Sequence, residues 1–70
     1  MLKPIKDCQE HIVCFMDAKT GLIESKYKRQ TTIIKLAVGG ELTIVRDRTE
    51  TVIKRISIDA FEILSYPIAS

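Results

Sequence analysis

The chain has 70 residues, 46% of them apolar, 29% charged and 6% aromatic, with a formal net charge of +2. A chain of this length holds one domain at most, and it buries only about 60% of the surface its unfolded form exposes, so its core must be small. The apolar share excludes a disordered segment. The longest unbroken apolar run, Ile12 to Met16, is far short of the ~20 residues that cross a bilayer as a helix.

Lys3, Lys6 and Asp7 are followed by no apolar stretch of the kind a secretory signal carries. A cytoplasmic protein that does not cross a membrane is therefore expected. Two cysteines, Cys8 and Cys14, are too few for a disulfide scaffold. As an extended strand, the segment between them would hold them roughly 20 Å apart, so reduced thiols are expected. Eleven isoleucines, four valines and six threonines make 30% of the chain β-branched. Such side chains favour pleated, half-buried surfaces, and the composition points to an all-β fold.

In chain order, Ile5, Cys8, Ile12 and Phe15 recur at helical spacing, and Pro4 suits a first turn. One helical turn within residues 1–10 is expected, followed by a strand over 11–17. Asp17-Ala18-Lys19-Thr20-Gly21 has the chemistry of a turn that closes on a left-handed glycine. Residues 22–29 alternate, with Ile23, Ser25 and Tyr27 on an inward face and Glu24, Lys26 and Lys28 in water. A third strand follows over residues 33–36, and Gly39-Gly40 reads as a hairpin turn. A fourth strand spans 42–46 with Leu42 and Ile44 inward. After a turn at Asp47-Arg48-Thr49 a fifth runs from Thr51 to Ile58, its alternate residues Val52, Ile56 and Ile58 interrupted by Lys54, where a bend or bulge is expected. The last strand, 61–66, stops at Pro67. The expectation is one domain over 1–70, all-β, with five or six short antiparallel strands in a curled meander or small barrel. Residues 1–10 are its least regular segment and 67–70 its tail.

Three kinds of site chemistry have candidate residues. Cys8, His11 and Cys14 carry zinc-ligand atoms, but on a strand His11 faces away from both cysteines, and no fourth Cys or His exists. Catalysis would need the single histidine to meet a nucleophile and an acid such as Asp59 or Asp7, and no nucleophile motif is present. Gly39-Gly40 leads into a strand rather than the helix a phosphate loop requires. No enzyme activity, metal or cofactor is therefore expected.

Two binding surfaces remain. Ile33-Ile34, Val52-Ile53 and Ile63-Leu64 are adjacent apolar pairs, so each sends side chains to both faces of its strand. That surplus points to a homo-oligomer engaging a protein partner, with Ile33, Ile53, Leu64 and Ile68 as its interface. The alternative is a small nucleic-acid-binding protein. Residues 26–55 hold eight Lys/Arg against three Asp/Glu, and Lys26, Lys28, Arg29, Arg46, Arg48, Lys54 and Arg55 are the candidate phosphate contacts.

Overall fold

The computed structural model describes residues 2–46 and 48–68. It contains seven strands: β1 (Lys3–Lys6), β2 (Ile12–Asp17), β3 (Leu22–Tyr27), β4 (Gln30–Lys35), β5 (Glu41–Arg46), β6 (Thr49–Ser57) and β7 (Ala60–Pro67). They form two antiparallel meanders, β1-β2-β3-β4 and β5-β6-β7. The all-β antiparallel class is as the composition indicated. The curl takes the form of two sheets facing one another, not a closed barrel, and among the described residues no segment is helical.

The additional strand is β1, where a helical turn had been expected. Ile5 is opposite Cys14 and sends its side chain into the core, while Lys3, Pro4 and Lys6 stay exposed. Proline costs little on an edge strand, where its missing N–H need not face a neighbour. The pairing slips between Ile5 and Lys6, leaving Val13 as the extra residue, so that Val13 and Cys14 are both enclosed.

The turn after β2 closes as read: the Gly21 amide donates to the Asp17 carbonyl at 2.9 Å, and Gly21 has φ +76°. The turn after β3 differs. The 22–29 strand stops at Tyr27, which pairs with Gln30, and Lys28-Arg29 form a two-residue hairpin. Gly39-Gly40 do turn the chain, but β4 and β5 are not partners. Residues 36–40 instead carry the chain from the first sheet to the second. On β6 the inward row is Thr49, Thr51, Ile53 and Arg55, in register with Arg46, Ile44 and Leu42 of β5. Val52 and Ile56 lie on the outward row, and Ile58 is exposed in the β6–β7 turn. The bulge falls at Ile56, two residues beyond Lys54.

The core is the seam between the sheets. Ile5, Val13, Cys14, Met16, Ile23 and Leu36 meet Ile53, with Leu42, Ile44 and Phe61 packed around them. Ile23 and Ile53 are fully enclosed. Hydrogen bonds clip the two ends of the seam. At one end the Thr49 hydroxyl donates to Asp7 Oδ2 at 2.9 Å, and the Cys8 amide donates to Ser65 Oγ at 2.9 Å. At the other, Arg55 donates to the Leu36 carbonyl at 2.7 Å. The β1–β2, β3–β4 and β5–β6 hairpin tips thus share one end of the molecule. The Gly21 turn, the 36–40 link and the β6–β7 turn share the opposite end.

Candidate functional site

The surface offers two sites built from different residues. The first is the outward face of the β5-β6-β7 sheet. Strand alternation places Thr43 and Val45 of β5, Glu50, Val52 and Lys54 of β6, and Glu62, Leu64 and Tyr66 of β7 on that face. Its cross-strand rows read Thr43–Val52–Leu64, Val45–Glu50–Tyr66 and Glu41–Lys54–Glu62. Val45 is 63% exposed and Leu64 47%. Between them Val52 is buried, and the Tyr66 hydroxyl donates to the Glu50 carboxylate. The result is an apolar strip crossed by the Tyr66–Glu50 pair, with further charge at its Glu41–Lys54–Glu62 margin.

Of the four residues expected at an interface, only Leu64 lies on this strip. Ile53 belongs to the core: β6 is the central strand of its sheet, and its odd-numbered residues face the opposing sheet. It has no surface to offer a partner. Ile33 is 62% exposed, but on the outward face of the other sheet, in a row with Glu24 and Phe15. Ile68 is half-buried, its amide tied to the Arg48 carbonyl of the same chain at 2.7 Å. Ala69 and Ser70 of the expected tail lie outside the described residues.

The second site is the end of the molecule where the hairpin tips meet. The Arg46 guanidinium reaches across from β5 to β3, donating to Ser25 Oγ at 3.0 Å and lying 4.4 Å from the Tyr27 ring centroid. Lys28 Nζ lies 5.4 Å from the same centroid. Tyr27 is thus not the enclosed inward ring its alternation suggested; it is exposed at the rim beneath two cations. Lys28 and Arg29 have φ values of +48° and +68°, the left-handed region a two-residue hairpin of this kind demands and glycine or asparagine usually fills. Arg48 is exposed on the neighbouring tip, and Asp47 beside it lies outside the described residues.

The remaining basic residues are elsewhere. Lys26 Nζ pairs with Glu24 Oε1 at 3.3 Å on the outward face of the first sheet. Lys54 stands between Glu41 and Glu62 on the outward face of the second. Arg55 is buried at the opposite end, donating to the carbonyls of Leu36 and Ile58. It braces the fold and cannot reach a phosphate.

The groups weighed for metal and catalytic chemistry are dispersed. Cys8 is exposed in the β1–β2 turn, Cys14 is in the core, and both thiols are free. Burial pushes the Cys14 thiol up to about 11, against a smaller opposing pull from Arg46. Among the described residues no three potential metal ligands stand together. Asp7 and Asp59 sit at opposite ends of the molecule. Asp7 holds the β1–β2 turn, its Oδ1 accepting the Gln9 and His11 amides, both at 2.9 Å. Burial alone would raise its carboxyl, but those amides and the Thr49 hydroxyl outweigh it and hold the group below its ordinary value.

Set against protein families, curated proteins and solved structures, the chain matches none. Among the described residues no helix is long and apolar enough to cross a membrane.

Proposed function

We propose that the chain is a small non-catalytic assembly module of the cytoplasm, working as a homo-oligomer and presenting its remaining surface to a protein partner. One observation carries this reading. Among the described residues, eleven large apolar side chains are exposed, against eight hydrophobic residues in the core. A folded domain this small gains stability by covering such surface with another copy. The free thiols suit a reducing compartment.

The edges of the two sheets favour β7 as the joining strand. An open strand edge is a template for pairing, and proteins guard edges with lysine, proline and charge. β1 carries Lys3, Pro4 and Lys6; β4 carries Lys35 behind a polar Gln30-Thr31-Thr32; β5 carries Glu41 and Arg46. β7 is eight residues long, its proline, Pro67, stands only at its last position, and its one charge, Glu62, is already opposite Lys54 of its own sheet. Antiparallel pairing of β7 with β7 of a second copy would make one six-stranded sheet and continue the Val52–Leu64 strip across the join.

Half-burying Ile63, Leu64 and Tyr66 from each copy contributes roughly 1 kcal/mol per side chain. Ordering and lost motion cost at least ~4 kcal/mol, which leaves only ~2 kcal/mol from these side chains. About six ladder hydrogen bonds across the join, at ~1 kcal/mol each, bring the sum to the ~8 kcal/mol of a micromolar dimer. Sedimentation equilibrium over a wide concentration range tests this. The native chain should dimerise, Leu64→Glu should be monomeric and folded, and Ile33→Glu on the other sheet should still dimerise. A native chain that stays monomeric at the highest concentration overturns the proposal.

A further inference from the structure

We infer that the hairpin-tip end, built from Tyr27, Lys28, Arg29, Arg46 and Arg48, binds the sugar–phosphate backbone of a nucleic acid. Three independent features converge there. The first is uncompensated charge: among the described residues none of these four cations has a carboxylate within ion-pair distance. In sequence Asp47 opposes one of these charges, and Asp7 and Glu10 of the β1–β2 turn stand at the same end, so the cationic cluster is confined to the β3–β4 and β5–β6 tips.

The second feature is preorganisation. The Arg46 guanidinium is fixed by Ser25 and by the Tyr27 ring, so it keeps its position when an anion arrives and loses less freedom on binding. Fixed, spaced cations match the fixed spacing of phosphates along a strand better than a fluid lipid surface. Neither contact is required by the core, since Ser25 and Tyr27 lie toward the open rim of β3.

The third is strain. Among the described residues the non-glycine residues with positive φ are Glu10, Lys28 and Arg29, and all three are at this end. At the opposite end the positive-φ positions are glycines, Gly21 and Gly39. A side chain with a β-carbon is disfavoured in that conformation, and such strain concentrates where a site needs a particular side chain in a particular place. Asn-Gly would form the same turn more comfortably. Lys28-Arg29 put two cations on the tip at the expense of its stability.

The test exploits that opposition. In the full chain, Lys28→Asn with Arg29→Gly removes both charges and relieves the turn. Binding is read by fluorescence anisotropy with a labelled oligonucleotide, single-stranded and duplex, over rising sodium chloride. The native chain should bind with a log-affinity against log-salt slope of about −3 to −4, as four phosphate contacts give. The double variant should melt about 5 °C higher yet bind roughly tenfold more weakly at low salt, its slope shallower by about 2. Lys19→Gln, at the opposite end, should bind as the native chain does. Native-like binding by the double variant would overturn the inference. So would a native chain that binds neither oligonucleotide at low salt, or that binds anionic phospholipid vesicles in their place.

Discussion

The Arg55 guanidinium lies against Gly21, so closely that a β-carbon at Gly21 would collide with Nη1 and with the Leu36 carbonyl that Nη1 engages. Around this contact three chain reversals are tied together. Arg55 Nη2 donates to the Ile58 carbonyl at 2.8 Å, the Arg55 amide donates to Gly40, and the Arg55 carbonyl accepts from Gly39. Buried carbonyls satisfied by a charged donor are expensive to strand, at about 1–3 kcal/mol each. Arg55 thus fastens the 36–40 link, where the chain leaves one sheet for the other.

Arg55→Met is accordingly expected to cost ~3 kcal/mol or more, a large part of the stability of a domain this size. Gly21→Ala should be destabilising as well, both for its φ of +76° and for the collision. Combined, the two should cost less than their sum, because the methionine variant has removed the group the alanine meets. Urea unfolding of the four proteins measures this coupling. Strict additivity would show that the guanidinium does not occupy the space above Gly21.

Much of this arrangement was legible in the sequence, and the rest has identifiable physical reasons for being hidden. β2 and β5 were readable because turn-forming residues follow or precede them and apolar residues recur along them. The β3–β4 turn was missed because Lys28-Arg29 contain neither glycine nor asparagine, so nothing local announces a left-handed backbone. On β6, the inward Thr49, Thr51 and Arg55 looked like surface residues. Their burial is tolerable because Asp7 and Ser65 engage the two threonines and the Leu36 carbonyl engages Arg55 Nη1, although Arg55 Nε stays buried without a hydrogen-bond partner. Those partners are 42, 14 and 19 residues away. The same long-range pairing decided which sheet each strand joins, and the two glycines at 39 and 40 look alike in a hairpin and in a crossover. For the candidate site, the basic residues were readable as a group, but only the fold separates Lys28, Arg29, Arg46 and Arg48 from the structural Arg55.

Ile53 and Ile33, equal in the sequence, should respond oppositely to truncation. Ile53 is fully enclosed, so Ile53→Ala removes buried methylenes and leaves a cavity, at about 2–5 kcal/mol. Ile33 is mostly exposed on β4, and Ile33→Ala should fall within ~0.5 kcal/mol of the native chain. Chemical denaturation at a concentration that keeps the chain monomeric distinguishes them. Comparable losses would mean that β6 presents its other face to the core.

The two thiols should differ in reactivity by orders of magnitude. Cys8 is exposed in a turn, whereas Cys14 is enclosed and its thiol is pushed up to about 11 by burial, leaving little thiolate at neutral pH. An alkylating reagent followed by mass spectrometry should add one group quickly to the folded chain. The second should appear only as the chain opens, at a rate that rises with urea. Rapid double labelling in native buffer would place Cys14 outside the core.

Asp7 links pH to the joining of the sheets. Its carboxylate accepts the Gln9 and His11 amides and the Thr49 hydroxyl, and its pKa is lowered on folding. A group lowered on folding binds protons more readily when unfolded, so its contribution is complete above the unfolded value, near 3.9, and fades as pH falls through the folded one. The native chain should therefore lose stability on acidification below about pH 4. In Asp7→Asn the charge is gone at every pH. That variant should melt lower than the native chain at neutral pH, and its melting temperature should vary less across the acid range. Thermal melts at a series of pH values compare the two, and parallel curves would show that the carboxylate contributes nothing as an anion.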